Sequence, residues 1–483
     1  MFARFQTQYY KNPLLAQIVI AAGLSAVGVG IGLLLGFAGP IITVIVLLIL
    51  PLFWLALTSL EVAFASLLVG LLLLPFGTMP FKILITPTFL DLTLGGVVGI
   101  YLLQWMAGYR RRLALTPAHG LALMFLVWAV IAFLVGKDNG PLTPNILRKF
   151  AEFLLSIFFV WVVVDYCQTR AQLQRALWVL MLAGTLAAAI ALFLYVLPVN
   201  VSQRILDQLR VIGYYPNGGG IRYIEDNPDL AQRAIGFWVD PNALGGVMAM
   251  FAALLAPQLV AKQPLLRPRW LSWGAFGLVS LVVLLTFSRA AMVALVVALL
   301  FIAAFRYRSL LIVLAVGAIL IVVLPWTQAY VLRFVAGVQG QDLATQMRFG
   351  EYKDALILIS RYPIFGVGFS GAPDVDVYLG VSNAYLLLMQ EMGIVGLAIF
   401  TTLMLVVFGW GILNRKAILQ NPQYDSLWLG LYAGISAALV IGIFDHYFFN
   451  LEFHASQTVF WLFIGLTLAV VRLASTESDA LNK

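Results

Sequence analysis

Residues 346–396 read QMRFGEYKDALILISRYPIFGVGFSGAPDVDVYLGVSNAYLLLMQEMGIVG. Most of this stretch is polar, charged or turn-forming, and an apolar run resumes at its end. Its part up to Val381 lies in a polar interval from about Trp326 to Val381, inside a chain that is otherwise lipid-soluble. An interval of roughly fifty residues is too long for a simple connector between spans, and such segments more often carry chemistry or recognition.

Working outward, 62% of the 483 residues are hydrophobic and only 10% are charged, against roughly 25% charged in a soluble domain. Mean hydropathy is +0.98. A helix needs about 20 apolar residues to cross the hydrocarbon, and the chain supplies such runs almost end to end. The expected fold is all-α: one polytopic membrane helix bundle over 1–483, with about 14 spans (12–14). They fall near 14–37, 39–57, 60–76, 90–108, 117–136, 149–166, 175–197, 240–260, 270–287, 290–306, 309–326, 382–410, 426–444 and 456–473. The 39–76 region also reads as a single hairpin. The N-terminal FARFQTQYYKNP runs into apolar chain that continues as membrane, so the first span reads as an anchor rather than a cleavable signal. The single Cys167 excludes an intrachain disulfide framework, and His119, His446 and His454 leave little for a conventional zinc site.

Charge orients the bundle. With both termini cytoplasmic, the short inside loops hold Arg110–Arg112, Arg170 with Arg175, and Lys262 with Arg267 and Arg269. Arg306 with Arg308, Arg415 with Lys416, and Arg472 continue the pattern, which is the positive-inside rule. Two large loops, 198–239 and 327–381, are then expected on the outer face. They carry Arg204, Arg210, Arg222 and Arg233, then Arg333, Arg348 and Arg361. Arg289, in the short TFSR turn between apolar runs, faces the same way. An arginine at a bilayer edge either snorkels to water or pairs. Its planar fork also matches a diphosphate bidentately and stays charged at any working pH.

Four segments together resemble one family. They are RAIGFWVDPNALGG (Arg233–Gly246), LTFSRAAM around Arg289, RFGEYKDALILISRYPIFGVGFS (Arg348–Ser370) and SNAYLLLMQEMGIVGL (Ser382–Leu397). In order and spacing they resemble the O-antigen ligase and O-antigen polymerase group of bacterial membrane proteins. The likeness is detailed over 230–400, including the 327–381 loop. It implies a metal-independent glycosyltransferase without cofactor in the bacterial cytoplasmic (inner) membrane, in surface polysaccharide biosynthesis. The implied donor is a polyprenyl-diphosphate-linked glycan, and the acceptor is a hydroxyl of another glycan or lipid-linked glycan at the outer face. Membrane lipid is the remaining partner, and no nucleic-acid partner is expected.

On that resemblance Arg233, Arg289 and Arg348, with Arg222 as a fourth, are expected to bind the diphosphate and stabilise the leaving charge. Relatives commonly carry a general-base histidine where this chain has Ser382, beside Asn383, and serine is too weak an acid to cycle protons. Asp374, Asp376, Glu351 and His446 are the candidates to replace it. Each also has a plain reading: solvated loop acids for Asp374 and Asp376, a helix ion pair for Glu351, and a hydrogen-bonded interface residue for His446. Glu391, a carboxylate inside an apolar run, is expected to cap or to pair with Arg289 or Arg348. Asp240-Pro241-Asn242 reads as a helix start whose free amides suit a phosphate oxygen. Asp91 and Glu152, near span ends, read either as sugar contacts or as solvated edge residues. The rival class is a transporter of solutes or lipid-linked oligosaccharide, which ordinarily shows broken helices and two-half repeats. No such repeat is evident in the sequence.

Overall fold

The computed structural model describes residues 59–79, 85–110, 113–215, 220–341, 343–372 and 381–481, with single residues at 25, 28, 29 and 55. The chain forms two compact units, Met1–Ala63 and Phe64–Lys483. The expected spans 14–37 and 39–57 therefore fall almost wholly outside the described residues. From residue 60 onward the other twelve expected spans coincide with helices. These are α1 (Leu60–Leu73), α2 (Phe89–Met106), α3 (Ala118–Val135), α4 (Pro144–Tyr166), α5 (Arg170–Val196), α7 (Pro241–Val260) and α8 (Arg269–Leu285). After them come α9 (Arg289–Phe305), α10 (Leu310–Val323), α13 (Ala384–Leu413), α15 (Pro422–Phe444) and α16 (His454–Leu481). Among the described residues seven helices are long and apolar enough to cross a membrane: α2, α3, α5, α7, α13, α15 and α16.

The described parts of the two expected loops contain short elements. The 198–239 interval holds α6 (Val199–Gln208) and a two-residue antiparallel pairing of β1 (Arg222–Tyr223) with β2 (Gln232–Arg233). The 327–381 interval holds α11 (Gln328–Val338) and α12 (Leu343–Arg361). A further short helix, α14 (Arg415–Gln420), joins α13 to α15.

Helix starts follow from local chemistry. A polar residue precedes the apolar run and accepts from the first free amides. Thr88 and Asp91 form a reciprocal capping box on α2, as do Thr169 and Gln172 on α5. Asp240 caps α7 through the Asn242 and Ala243 amides at 2.7 and 2.9 Å, with Pro241 as the first helical residue. Asn383 does the same for α13 through Tyr385 and Leu386, both at 2.9 Å.

The most apolar helices differ in what covers them. The apolar windows of α7 and α16 are 83% and 89% buried, so these helices form the centre, whereas α2 is 28% buried and peripheral. No residue of α10 is buried. An apolar helix left uncovered in this way is solvated by lipid tails. Where α7 meets α15, Gly430 and Gly434 let the two backbones close up. A Cβ at either would lie 2.8 Å from the Leu254 carbonyl oxygen or 3.2 Å from that of Met250.

Polar contacts tie the helices at both ends of the bundle. At one end Arg110 pairs with Asp165 at 2.6 Å, and Arg306 and Arg415 both reach Asp425, at 3.2 and 2.5 Å. Arg170 donates to Gln423 and Arg472 to the Cys167 carbonyl at the same end. At the other end lie the starts of α7, α9, α13 and α16, together with both folded loops. This alternation is what antiparallel neighbours joined in sequence require.

Helix α13 is broken at Gly393, whose φ of +68° and ψ of −179° leave the helical region. The turn Pro363–Gly368 fills the break. Val367 and Gly368 donate their amides to the Gln390 and Glu391 carbonyls at 2.8 and 3.0 Å, and Ile394 donates to the Pro363 carbonyl at 2.8 Å. Trp128 donates its indole N–H to the Met392 carbonyl at 2.8 Å and stacks on Phe365. Backbone groups freed at membrane depth are thus satisfied by protein. A Cβ on Gly366 would lie 2.5 Å from the Glu391 carbonyl carbon, and its φ is +73°. Only glycine fits there.

Candidate active site

The site is assembled from short elements that join the spans at one end. Residues Gln232–Arg233 pair with Arg222–Tyr223, and Ala234 then donates to the Leu285 carbonyl at 2.8 Å, docking this strand on the end of α8. Arg233 is held there by two acceptors: its Nε donates to the Thr286 carbonyl at 2.7 Å and its Nη2 to Asn242 Oδ1. Thr286 lies three residues before Arg289, the first residue of α9, so one turn supports Arg233 and carries Arg289. Arg289 Nη2 in turn reaches Thr345 Oγ1 on α12 at 3.4 Å. One helical turn further along α12, Arg348 Nη2 lies 3.4 Å from Asp445 Oδ2. The three arginines, distant in sequence, are joined by this chain of contacts.

Two of the turns are strained. Val239, just before the cap of α7, has φ +60°, and Phe287, just before Ser288 and Arg289, has φ +53°. For a β-branched or bulky residue this is an unusual conformation costing about 1–3 kcal/mol. Such strain persists where surrounding contacts over-determine the geometry, here the anchoring of Arg233 and Ala234 on the same loop.

Asp445 sits where α15 ends. It is 5% exposed. Its Oδ1 accepts the His446 amide at 3.0 Å, and its own carbonyl accepts the Ala384 amide at 3.0 Å. Burial pushes its carboxyl above the ordinary range; His446, Arg348 and the Tyr447 hydroxyl oppose that shift, and Asp240 adds to it. Burial likewise holds the Arg233 guanidinium below its ordinary value, against the attraction of Asp240, Tyr447 and Asp445. Tyr447 is buried, with its hydroxyl against the Asp445 carboxyl. The arrangement places the Arg348 guanidinium and the Tyr447 hydroxyl beside a buried carboxyl.

The expected site residues divide on structural grounds. Arg233, Arg289, Arg348, Asp240 and Asn242 come together as described. Arg222 pairs in register with Arg233 on the adjoining strand, but its side chain is 43% exposed and turns to Asp226 at 3.8 Å. Glu351 does not pair with Arg348. Its Oε2 accepts the Ser382 amide at 2.8 Å, while Tyr352 donates to the Ser382 carbonyl at 3.1 Å. Ser382 is thus held by its backbone from α12. Asn383 braces the same corner by donating to the Ile443 carbonyl at 2.8 Å. His446 is half-buried, edge-on to Phe453, with Nδ1 3.5 Å from Asp445 Oδ1. Asp374 and Asp376 lie outside the described residues.

Two expectations are corrected. Among the described residues Glu391 forms no ion pair with Arg289 or Arg348; its backbone carbonyl accepts the Gly368 amide at 3.0 Å. The break at Gly393 sets its backbone to that task. Glu152 is not a solvated edge residue but is 4% exposed. Together with Asp91 it is bridged by Arg148 and faces His454, in a second polar cluster at the same end of the bundle.

Asp445 is the candidate residue that the sequence did not single out. Its signal was present in IFDHYFF, a carboxylate directly after an apolar run. Attention falls on the neighbouring histidine there, because nothing local says that Arg348 will meet the acid.

Residues 274–401 match the family model described as O-Antigen ligase. The matched segment contains Arg289, Arg348, Ser382-Asn383 and the broken start of α13, and the site draws Arg233, Asp240 and Asp445 from outside it. No curated protein matches the chain. The family match and the apolar helices support a membrane glycosyl-transfer role in polysaccharide biosynthesis.

Proposed function

We propose that this O-antigen ligase-family protein transfers a glycan from a polyprenyl diphosphate to an acceptor hydroxyl at the outer face of the bacterial cytoplasmic membrane. The observation that carries the reading is the linked set Arg233, Arg289 and Arg348, with the buried Asp445 against Arg348. The acceptor oxygen attacks the anomeric carbon, the bond from that carbon to the diphosphate oxygen breaks, and lipid diphosphate leaves. Arginine forks bind both phosphates and stabilise the charge that develops on the leaving oxygen. The acceptor's proton passes to Asp445, whose burial makes it a stronger base than an exposed aspartate. Before that transfer Arg348, 3.4 Å away, offsets the carboxylate's charge. Ser382 takes no proton, and its place in the corner is a backbone one.

In this reading the end of the bundle bearing the arginine set faces outward, and the end bearing Arg110, Arg306 and Arg415 is cytoplasmic, as the positive-inside rule orders it. The bundle then has about 14 spans with both termini inside. The break in α13 is a feature that carriers also use. Here it is filled by the protein's own Pro363–Gly368 turn, which favours a structural use of the break over a transport path.

The test is transfer from a purified lipid-linked donor by the purified protein, read beside a deletion strain. Loss of long chains with single units still transferred would identify a polymerase, and loss of all transfer a ligase. Normal surface glycan in the deletion strain, with no transfer in vitro, would overturn the proposal.

A further inference from the structure

The second polar cluster brings three elements together. Asp91 comes from the first turn of α2, Glu152 from α4 and His454 from the start of α16. Arg148 Nη1 bridges the two acids by one oxygen each: Asp91 Oδ2, at 2.9 Å, and Glu152 Oε1. That leaves Asp91 Oδ1 and Glu152 Oε2 turned toward His454 Nδ1, at 3.8 and 3.4 Å. His454 is 7% exposed, and both its ring nitrogens, like Asp91 Oδ1, lack a hydrogen-bond partner among the described residues. A buried imidazole without a partner is costly, and two carboxylate oxygens are aimed at it without closing a hydrogen bond.

The spacing has a simple chemical match. Ligand atoms about 2.0–2.2 Å from a tetrahedral zinc ion lie about 3.3–3.6 Å from one another. An octahedral ion of similar bond length would draw them closer, to about 3.0 Å. The separations of 3.4 and 3.8 Å lie within and just beyond the tetrahedral edge, and all three ligand atoms lie within 4.8 Å of one another. Arg148 on the outer oxygens orients both carboxylates, as partners behind metal ligands commonly do.

We propose that Asp91, Glu152 and His454 bind a divalent cation of the zinc class, tying α2, α4 and α16 together. The sequence hides this site because the ligands are about 60 and 300 residues apart, as the positions themselves give, and no ligand spacing motif connects them. The ion is structural, and the site stands whether or not the protein transfers glycans.

The probe is Zn(II) with full-length protein in detergent, first stripped with chelator. Wild type should retain about one equivalent after dialysis, measured by elemental mass spectrometry, and zinc should raise its thermal midpoint with saturation at that stoichiometry. Co(II) should give the visible d–d absorption of a tetrahedral nitrogen–oxygen site. His454→Gln and Glu152→Gln should each lose the retained metal and the midpoint shift. Should either variant fail to fold, the wild-type titration alone decides. No stoichiometric zinc and no shift in wild type would overturn the proposal. So would equal zinc retention by the variants, which would mark adventitious binding. A midpoint that ignores metal at every pH would also overturn it.

Discussion

Replacing Asp445 with asparagine separates a chemical role from a structural one. The amide keeps the side-chain shape and can still accept the His446 amide through Oδ1, while the bond from Ala384 is to the backbone carbonyl and is untouched. What disappears is the charge facing Arg348 at 3.4 Å. At an effective dielectric of about 20 the gross attraction at that distance is about 5 kcal/mol. Burial nevertheless outweighs it, because the carboxyl lies above its ordinary range. The sign follows. A group whose pKa is raised in the fold contributes stability below its unfolded pKa and loses it as pH rises through the folded value. At neutral pH the ionised Asp445 is therefore a net liability for folding, and Asp445→Asn should leave the thermal midpoint unchanged or higher. Transfer should fall about 10²–10⁴-fold if the carboxylate accepts the acceptor's proton. Wild-type kcat/KM should also decline on the acid side, above the pH expected for an exposed aspartate, and the variant should lose that limb. The assay is initial rate against pH with purified lipid-linked donor, beside a thermal scan in the same detergent. Activity within a few-fold of wild type, or a loss matched by a lower midpoint, would refute the reasoning.

Arg289→Lys keeps a charge but loses the planar fork, so transfer should drop at least tenfold, with Arg289→Ala as damaging and expression equal; intact transfer in alanine variants of 233, 289 and 348 would remove the diphosphate clamp. Gly366→Ala forces a Cβ to 2.5 Å from the Glu391 backbone at a φ of +73°, and the positive φ alone costs about 1–2 kcal/mol; its thermal midpoint should fall by several degrees. Ser382→Ala keeps both backbone bonds to Glu351 and Tyr352, so transfer should stay within a few-fold and Ser382→His should be tolerated. A large loss for Ser382→Ala would assign the hydroxyl a role denied here. In a Cys167→Ser background, cysteine at Gly340 should react with an impermeant thiol reagent from outside, and cysteine at Ala417 only after permeabilisation; the reverse labelling would invert the bundle.

Apolar run length and end chemistry made the helices legible from sequence. From residue 60 on, the runs become helices because a chain in lipid must satisfy its amides internally. Asp240 marks a helix start because a cap needs only residues two or three apart. The shared end of Arg233, Arg289 and Arg348 also follows from counting spans, since each crossing reverses direction. Contacts between residues far apart in sequence obey no such local rule. Burial beside Arg348 gave Asp445 its shifted carboxyl, a turn thirty residues upstream filled the break in α13, and Glu351 spent its carboxylate on a backbone amide instead of an arginine. His454 met Asp91 and Glu152 only because α16 packs on α4. Sequence alone determined which segments are helical and where their charges collect, because those depend on neighbours along the chain. Tertiary structure decided which charges meet, because a buried polar group takes its partner from whatever packing brings within about 3–4 Å.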